Sequence, residues 1–216
     1  MIGVQNPVNM ILGLGLISLI PLIISVATAF LKMSIVLSLV RNALGVQQVP
    51  PNMALYGLAL ILTVYVMYPV LGDIYKIMDA NDISINDMEQ VILFKDQLFA
   101  PYVDFLKRNT NVELSTVFFE TAKTLWPPEY ANGVKIDDFI ILLPSFITSE
   151  LNSAFQIAFL IFIPFLVIDI FVSNILLSLG MMMVAPMTIS LPFKLLLFVV
   201  ADGWTKLIDS LILTYA

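Results

Sequence analysis

The sequence contains no cysteine and no histidine. Those two absences remove disulfides, thiolate nucleophiles, imidazole bases and most transition-metal sites together. Charge is also scarce: 12% of the 216 residues are charged, while 60% are hydrophobic. Soluble domains carry about twice that charged share. So much apolar surface in so short a chain requires lipid or other subunits to cover it. The formal net charge of −6 argues against nucleic acid, whose phosphates need a basic surface. No glycine-rich phosphate loop is present, and no cofactor is called for.

What charge there is lies in one block. No side chain from Met1 to Leu31 is charged; Lys32 and Arg41 follow, and Asn42 to Gly72 is charge-free again. Asp73 to Asp138 holds 18 of the 26 charged residues, 12 of them acidic. The expected organisation is all-α and membrane-associated: an apolar helical hairpin over 1–72, a polar helical insert over 73–138, and a second apolar hairpin over 139–216. The last unit includes a methionine-rich loop and a final amphipathic helix. Four stretches approach the roughly 20 apolar residues that cross a bilayer: Met10–Leu31, Met53–Leu71, Leu151–Ile168 and Ile170–Leu191. Pro21, Pro69, Pro164, Pro186 and Pro192 fall in or beside them, so kinked helices packed on protein are expected.

Ala27-Thr28-Ala29 has the form of a signal cleavage site, but no Lys or Arg precedes it, so cleavage is not favoured. The Gly13-Leu-Gly15 pair permits close helix approach, though Gly is common in membrane helices. Lys32 and Arg41 place the first turn in the cytoplasm by the positive-inside rule, which puts the acidic insert on the opposite, periplasmic side.

Within the insert, Val91, Phe94, Leu98, Tyr102 and Phe105 recur at helical spacing, as do Leu114, Val117, Phe118, Thr121 and Leu125. Such stripes serve either as a docking surface or as a small core against the apolar hairpins, and the second is preferred. Asn86-x-x-Glu89 resembles a capping pair, and Trp126-Pro127-Pro128 ends a helix.

Intramembrane proteolysis needs two facing aspartates. Asp169 and Asp202 are available, but the Gly-x-Gly-Asp context is missing, and the chain is read as a non-enzyme. Glu150 and Lys194 interrupt long apolar runs with opposite signs. Ionisable groups at membrane depth cost several kcal/mol unless they pair or meet water. Mutual pairing, within or between subunits, is favoured over snorkelling to an interface. Asp202, Lys206 and Asp209, with Thr205, share one helix face: a solvated face is preferred, a lumen or interface face being the sharper alternative. Met181, Met182 and Met183, with Met187 nearby, bring four flexible thioethers into seven residues. They read as ordinary membrane packing or as a hydrophobic constriction that closes a pore by dewetting.

Eight segments then carry a family resemblance: Leu39 to Gly45, Pro50-Pro51-Asn52, Leu143 to Leu151, Ala154 to Ile157, Phe162 to Phe165, Leu179 to Met183, Ile189 to Lys194, and Asp202-Gly203-Trp204. In that order they resemble the FliP/SctR family of bacterial type III secretion, over most of the chain. The resemblance implies a core subunit of an export gate in the inner membrane, projecting towards the periplasm. That gate assembles as a homo-oligomer, pentameric in the family, with S-type and T-type components and with the U-type switch and V-type export gate proteins. It passes secreted, unfolded substrates. It also implies a pore gasket at Met181–Met183 with Met187 adjacent, and an inter-subunit charge pair at Glu150 and Lys194. The short chain without a convincing signal peptide points to the injectisome rather than the flagellar branch. An ion or small-molecule transporter subunit is the alternative, though no pairing of half-repeats supports it.

Overall fold

The computed structural model describes residues 15, 18–46, 48–84, 87–181 and 183–216, the side chains of Ile20 and Met88 excepted. Met10–Leu14 of the first expected stretch, Gly13, Asn86 and Met182 lie outside the described residues. Among the described residues the chain is all-helical.

The first helix among the described residues is α1 (Ile20–Val26), whose proline occupies the first turn; the chain then bends at Ala27–Ala29 into α2 (Phe30–Ala43). Helix α2 is the keystone. Met33, Val36, Leu37 and Val40 recur at i, i+3, i+4, i+7 and are all buried. Around them close Leu55, Ala59 and Leu62 of α3 (Asn52–Ala80), Ala154 and Phe165 of α8 (Phe139–Ser178), Phe198 of α9 (Pro186–Val200), and Leu207 and Leu211 of α10 (Gly203–Leu213). The turn into α3 is fastened by Arg41, whose Nη1 donates to the Pro50 carbonyl at 3.1 Å and to Asn52 Oδ1 at 2.6 Å.

Between the long helices the insert forms α4 (Met88–Leu93), α5 (Lys95–Arg108), α6 (Val112–Leu125) and the single turn α7 (Pro128–Ala131). Asp87 is the N-cap of α4, accepting from the backbone of Glu89 and Gln90. Asn111 caps α6 in the same manner. Of the first expected stripe, Tyr102 and Phe105 of α5 pack in a core with Met67 of α3 and Leu142 and Phe146 of α8, while Val91, Phe94 and Leu98 are only half-buried and outside it. The second stripe is rotated. Val117, Thr121 and Leu125 are exposed, and the buried line is Ser115 and Ala122. Small side chains let α6 approach α8 closely, a contact that large-residue periodicity does not reveal.

The apolar stretches have different limits from those expected. Among the described residues, two helices are long and apolar enough to cross a membrane, α3 with 29 residues and α8 with 40, and α9 is a shorter apolar helix. At 1.5 Å per residue, α8 is about 60 Å long. It runs through Asp169, where two stretches were expected to meet, and the Ile170–Leu191 stretch is instead interrupted over residues 179–185. Asp169 does not stop the helix because its charge is neutralised by α9. Gly180 does stop it, at φ +72. Gly180 N donates to Leu177 O and Met181 N to Leu176 O, the paired bonds of a Schellman turn.

Candidate functional site

That Schellman turn projects the methionines. Met181 and Met187 are exposed and Met183 is fully so, in a connection whose remaining backbone bonds are Val184 N to Met181 O and Thr188 N to Ala185 O. Ala185 is extended, and Pro186 starts α9 from the first turn, where its missing N–H costs nothing. The result is a short loop at the tip of the α8–α9 hairpin, presenting polarisable thioethers away from the body of the chain.

Behind the loop lie two buried charge clusters. In the first, Lys194 is 3% exposed and its Nζ donates to Asp169 Oδ2 at 2.6 Å and to the Ala43 carbonyl at 3.3 Å. Ser190 Oγ donates to Asp169 Oδ1 at 2.6 Å. One ammonium therefore ties α9 to α8 and to the end of α2, where helix carbonyls favour a cation.

In the second cluster, Glu150 is 1% exposed and its Oε1 lies 3.0 Å from Lys32 Nζ of α2. Tyr215, just after α10, donates its hydroxyl to Glu150 Oε2, and its ring lies 3.8 Å from the Lys32 ammonium. Burial first, and then the Glu150 charge, push the Tyr215 hydroxyl well above its ordinary range, so it remains a donor. Tyr102 of the insert donates to the Ala27 carbonyl at 2.6 Å, and burial pushes its hydroxyl up to about 12.

Within the chain, then, Glu150 and Lys194 do not pair with each other. Glu150 and Asp169 stand 19 residues apart on one helix, about 28 Å at helical rise, so Lys194 cannot serve both. Lys32 and Asp169 are the partners that sequence reasoning missed. Each was visible as a charge beside an apolar run, yet sequence alone does not say which helix faces which. Asp169 and Asp202 are engaged separately: Asp202 Oδ1 accepts from Thr205 at 3.1 Å. Asp202, Lys206 and Asp209 are all exposed on α10, opposite its buried Leu207 and Leu211.

The FliP family model matches residues 13–211. The chain is 52% identical to Yop proteins translocation protein R of Yersinia pestis over 215 residues, covering 100% of this chain and 99% of that one. It is 46% identical to harpin secretion protein HrcR of Erwinia amylovora, covering 97% of each. It is 43% identical to virulence protein YscR of Salmonella typhimurium, covering 98% of each. With a family match from the first helices through the last, and full-length relatives at this identity, the chain belongs to the FliP family.

Proposed function

We propose that this chain is a core subunit of a type III secretion export gate, of the injectisome type, in the bacterial inner membrane. Copies of the chain, together with S-type and T-type components, surround a conduit for unfolded proteins. The U-type and V-type proteins sit at its entrance, and the polar insert faces the periplasm. The relatives named for Yop translocation, harpin secretion and virulence support the process and the branch.

The observation that carries the conduit reading is the methionine loop. Met183 stands wholly outside the chain's own fold, beside an exposed Met181 and Met187, so these thioethers are free to meet neighbouring copies or a passing chain. Repeated around an axis, the Met181–Met183 segments would form a dry, deformable constriction. Dewetting closes it to ions, and the unbranched thioethers yield to a passing chain and close around it. The long apolar faces of α3 and α8 support assembly. Tyr65, Tyr68 and Tyr75 of α3, and Phe155, Phe159 and Phe171 of α8, are exposed and need lipid or neighbouring subunits to cover them. Energy for transport comes from other components.

The test is ion conductance of the assembled complex with Met181, Met182 and Met183 replaced by Ala. Leak should rise while secretion partly survives. Conductance at the parental level removes the gasket reading.

A further inference from the structure

The α8–α9 hairpin is gripped at one level and open at the next. Both carboxylate oxygens of Asp169 hold α9, one through Lys194 and one through Ser190, each at 2.6 Å. This grip lies about two and a half helical turns before the end of α8. Alongside it the two arms leave an apolar groove of about 460 Å³, lined by Ile168, Val172, Ile175 and Leu176 of α8 and by Ile189 and Phe193 of α9. Across this groove the two arms make few apolar contacts with each other. The directional bonds that set the spacing of the arms are therefore those of Asp169. Lys194 refers that spacing to the rigid core, because it also binds the Ala43 carbonyl at the end of α2.

We propose that Asp169 is a positioning residue of the gate. By holding Lys194 and Ser190 it sets the splay of the α8–α9 hairpin, and so the place at which the methionine loop projects. The inference rests on the loop closing a conduit, as proposed above. An amide in place of the carboxylate offers one acceptor oxygen where two donors, Lys194 and Ser190, are now held, and carries no charge to pair with the ammonium, so the arms are freer to spread. The Asp169 side chain is about one-third exposed, so an amide in its place can still be solvated and the helix can still form.

Two readouts test this on the assembled complex: ion conductance, and the distance between spin labels carried by Leu177→Cys and Thr188→Cys. Both positions are exposed and flank the loop, and the native sequence contains no competing thiol. Asp169→Asn should raise ion leak several-fold and broaden or lengthen the label distance, with Asp169→Glu close to the parent on both. Ser190→Ala, which keeps the ion pair, should give a smaller change in the same direction. Exchanging the charges (Asp169→Lys with Lys194→Asp) should recover part of the parental distance, which a residue that merely helps the chain fold would not do. If the triple methionine variant leaks but Asp169→Asn does not, or if the label distance is unchanged in both Asp169→Asn and Ser190→Ala, the positioning role is overturned. If the triple methionine variant itself does not leak, the gate reading beneath it fails; the label distances still decide whether Asp169 sets the splay.

Discussion

Tyr215 reaches back 65 residues to donate its hydroxyl to Glu150, and the same side chain lays its ring against the ammonium of Lys32. Two helices, α2 and α8, and the segment after α10 therefore meet at one buried ion pair, whose side chains are 4% and 2% exposed. Desolvation makes such a pair costly to form and costlier to halve. Its structural meaning is registry: α2, α8 and Tyr215 have one arrangement in which all three polar groups are satisfied.

Removing either charge alone should thus be severe. Glu150→Gln or Lys32→Met should each cost about 3–5 kcal/mol, because one buried charge is left unpaired. Replacing both with apolar side chains, Lys32→Met with Glu150→Leu, should recover most of that loss. Tyr215→Phe keeps the ring and loses only the hydroxyl, for about 1–2 kcal/mol. Thermal unfolding of the detergent-extracted chain reads all four. Losses that simply add in the double variant would contradict the pairing.

The helical class and the apolar–polar–apolar order are readable from the distribution of charge alone. The limits are less so, for a specific reason. Asp169 looks like a break in an apolar run until its partners are known. Gly180 is the real break because the chain there turns left-handed, which residue hydropathy does not report. Pairing is similarly hidden. Glu150 and Lys194 are the conspicuous opposite charges, yet within one chain a continuous helix keeps Glu150 far from Lys194 and hands each a nearer partner. The packing of α6 through Ser115 and Ala122 escapes periodicity because small residues add little hydrophobic signal. The methionine loop is the reverse case: its residues stand out in sequence, and their exposure agrees with a role outside the chain's own core.

The α2–α3 turn should depend on Arg41 more than on its charge. One guanidinium nitrogen, Nη1, donates to both the Pro50 carbonyl and the Asn52 side chain, and the rigid planar group fixes the directions of those two N–H bonds, which a freely rotating ammonium on a different stem does not. Arg41→Met should cost about 1.5–3 kcal/mol, the range for hydrogen bonds to a charged group, and Asn52→Ala about half as much. Hydrogen exchange at the Met53 and Ala54 amides should accelerate in the same order. Equal protection in Arg41→Lys and the parent would show that charge alone suffices.

Tyr102→Phe should loosen the insert from the first helices. The lost bond to the Ala27 carbonyl spans 75 residues and joins α5 to the bend between α1 and α2. The expected cost is about 1–2 kcal/mol, since a part-buried carbonyl loses its donor while the ring stays packed. Limited proteolysis should show faster cutting around residues 27–29. An unchanged cleavage rate there would mean that the insert is held by its apolar contacts with α3 and α8 alone.

Gly203 starts the last helix directly against the Phe198 ring of the helix before it, and a methyl group there should be felt. A Cβ at this position would lie 2.4 Å from two carbons of the Phe198 ring. That ring cannot swing aside freely: it is buried, packs on Phe165 at 6.2 Å between centroids, and meets Trp204 edge-on at 5.3 Å. Asp202 just before it is left-handed at φ +54, so the backbone has little slack with which to back away. Gly203→Ala should destabilise by about 1–3 kcal/mol, the usual range for overpacking. Phe198→Leu alone should also destabilise, by leaving a gap. Combined, the two should lose less than the sum of the single losses, because the smaller side chain makes room for the methyl. Strict additivity, or a Gly203→Ala variant as stable as the parent, would show that the Phe198 ring moves and that glycine is not required there.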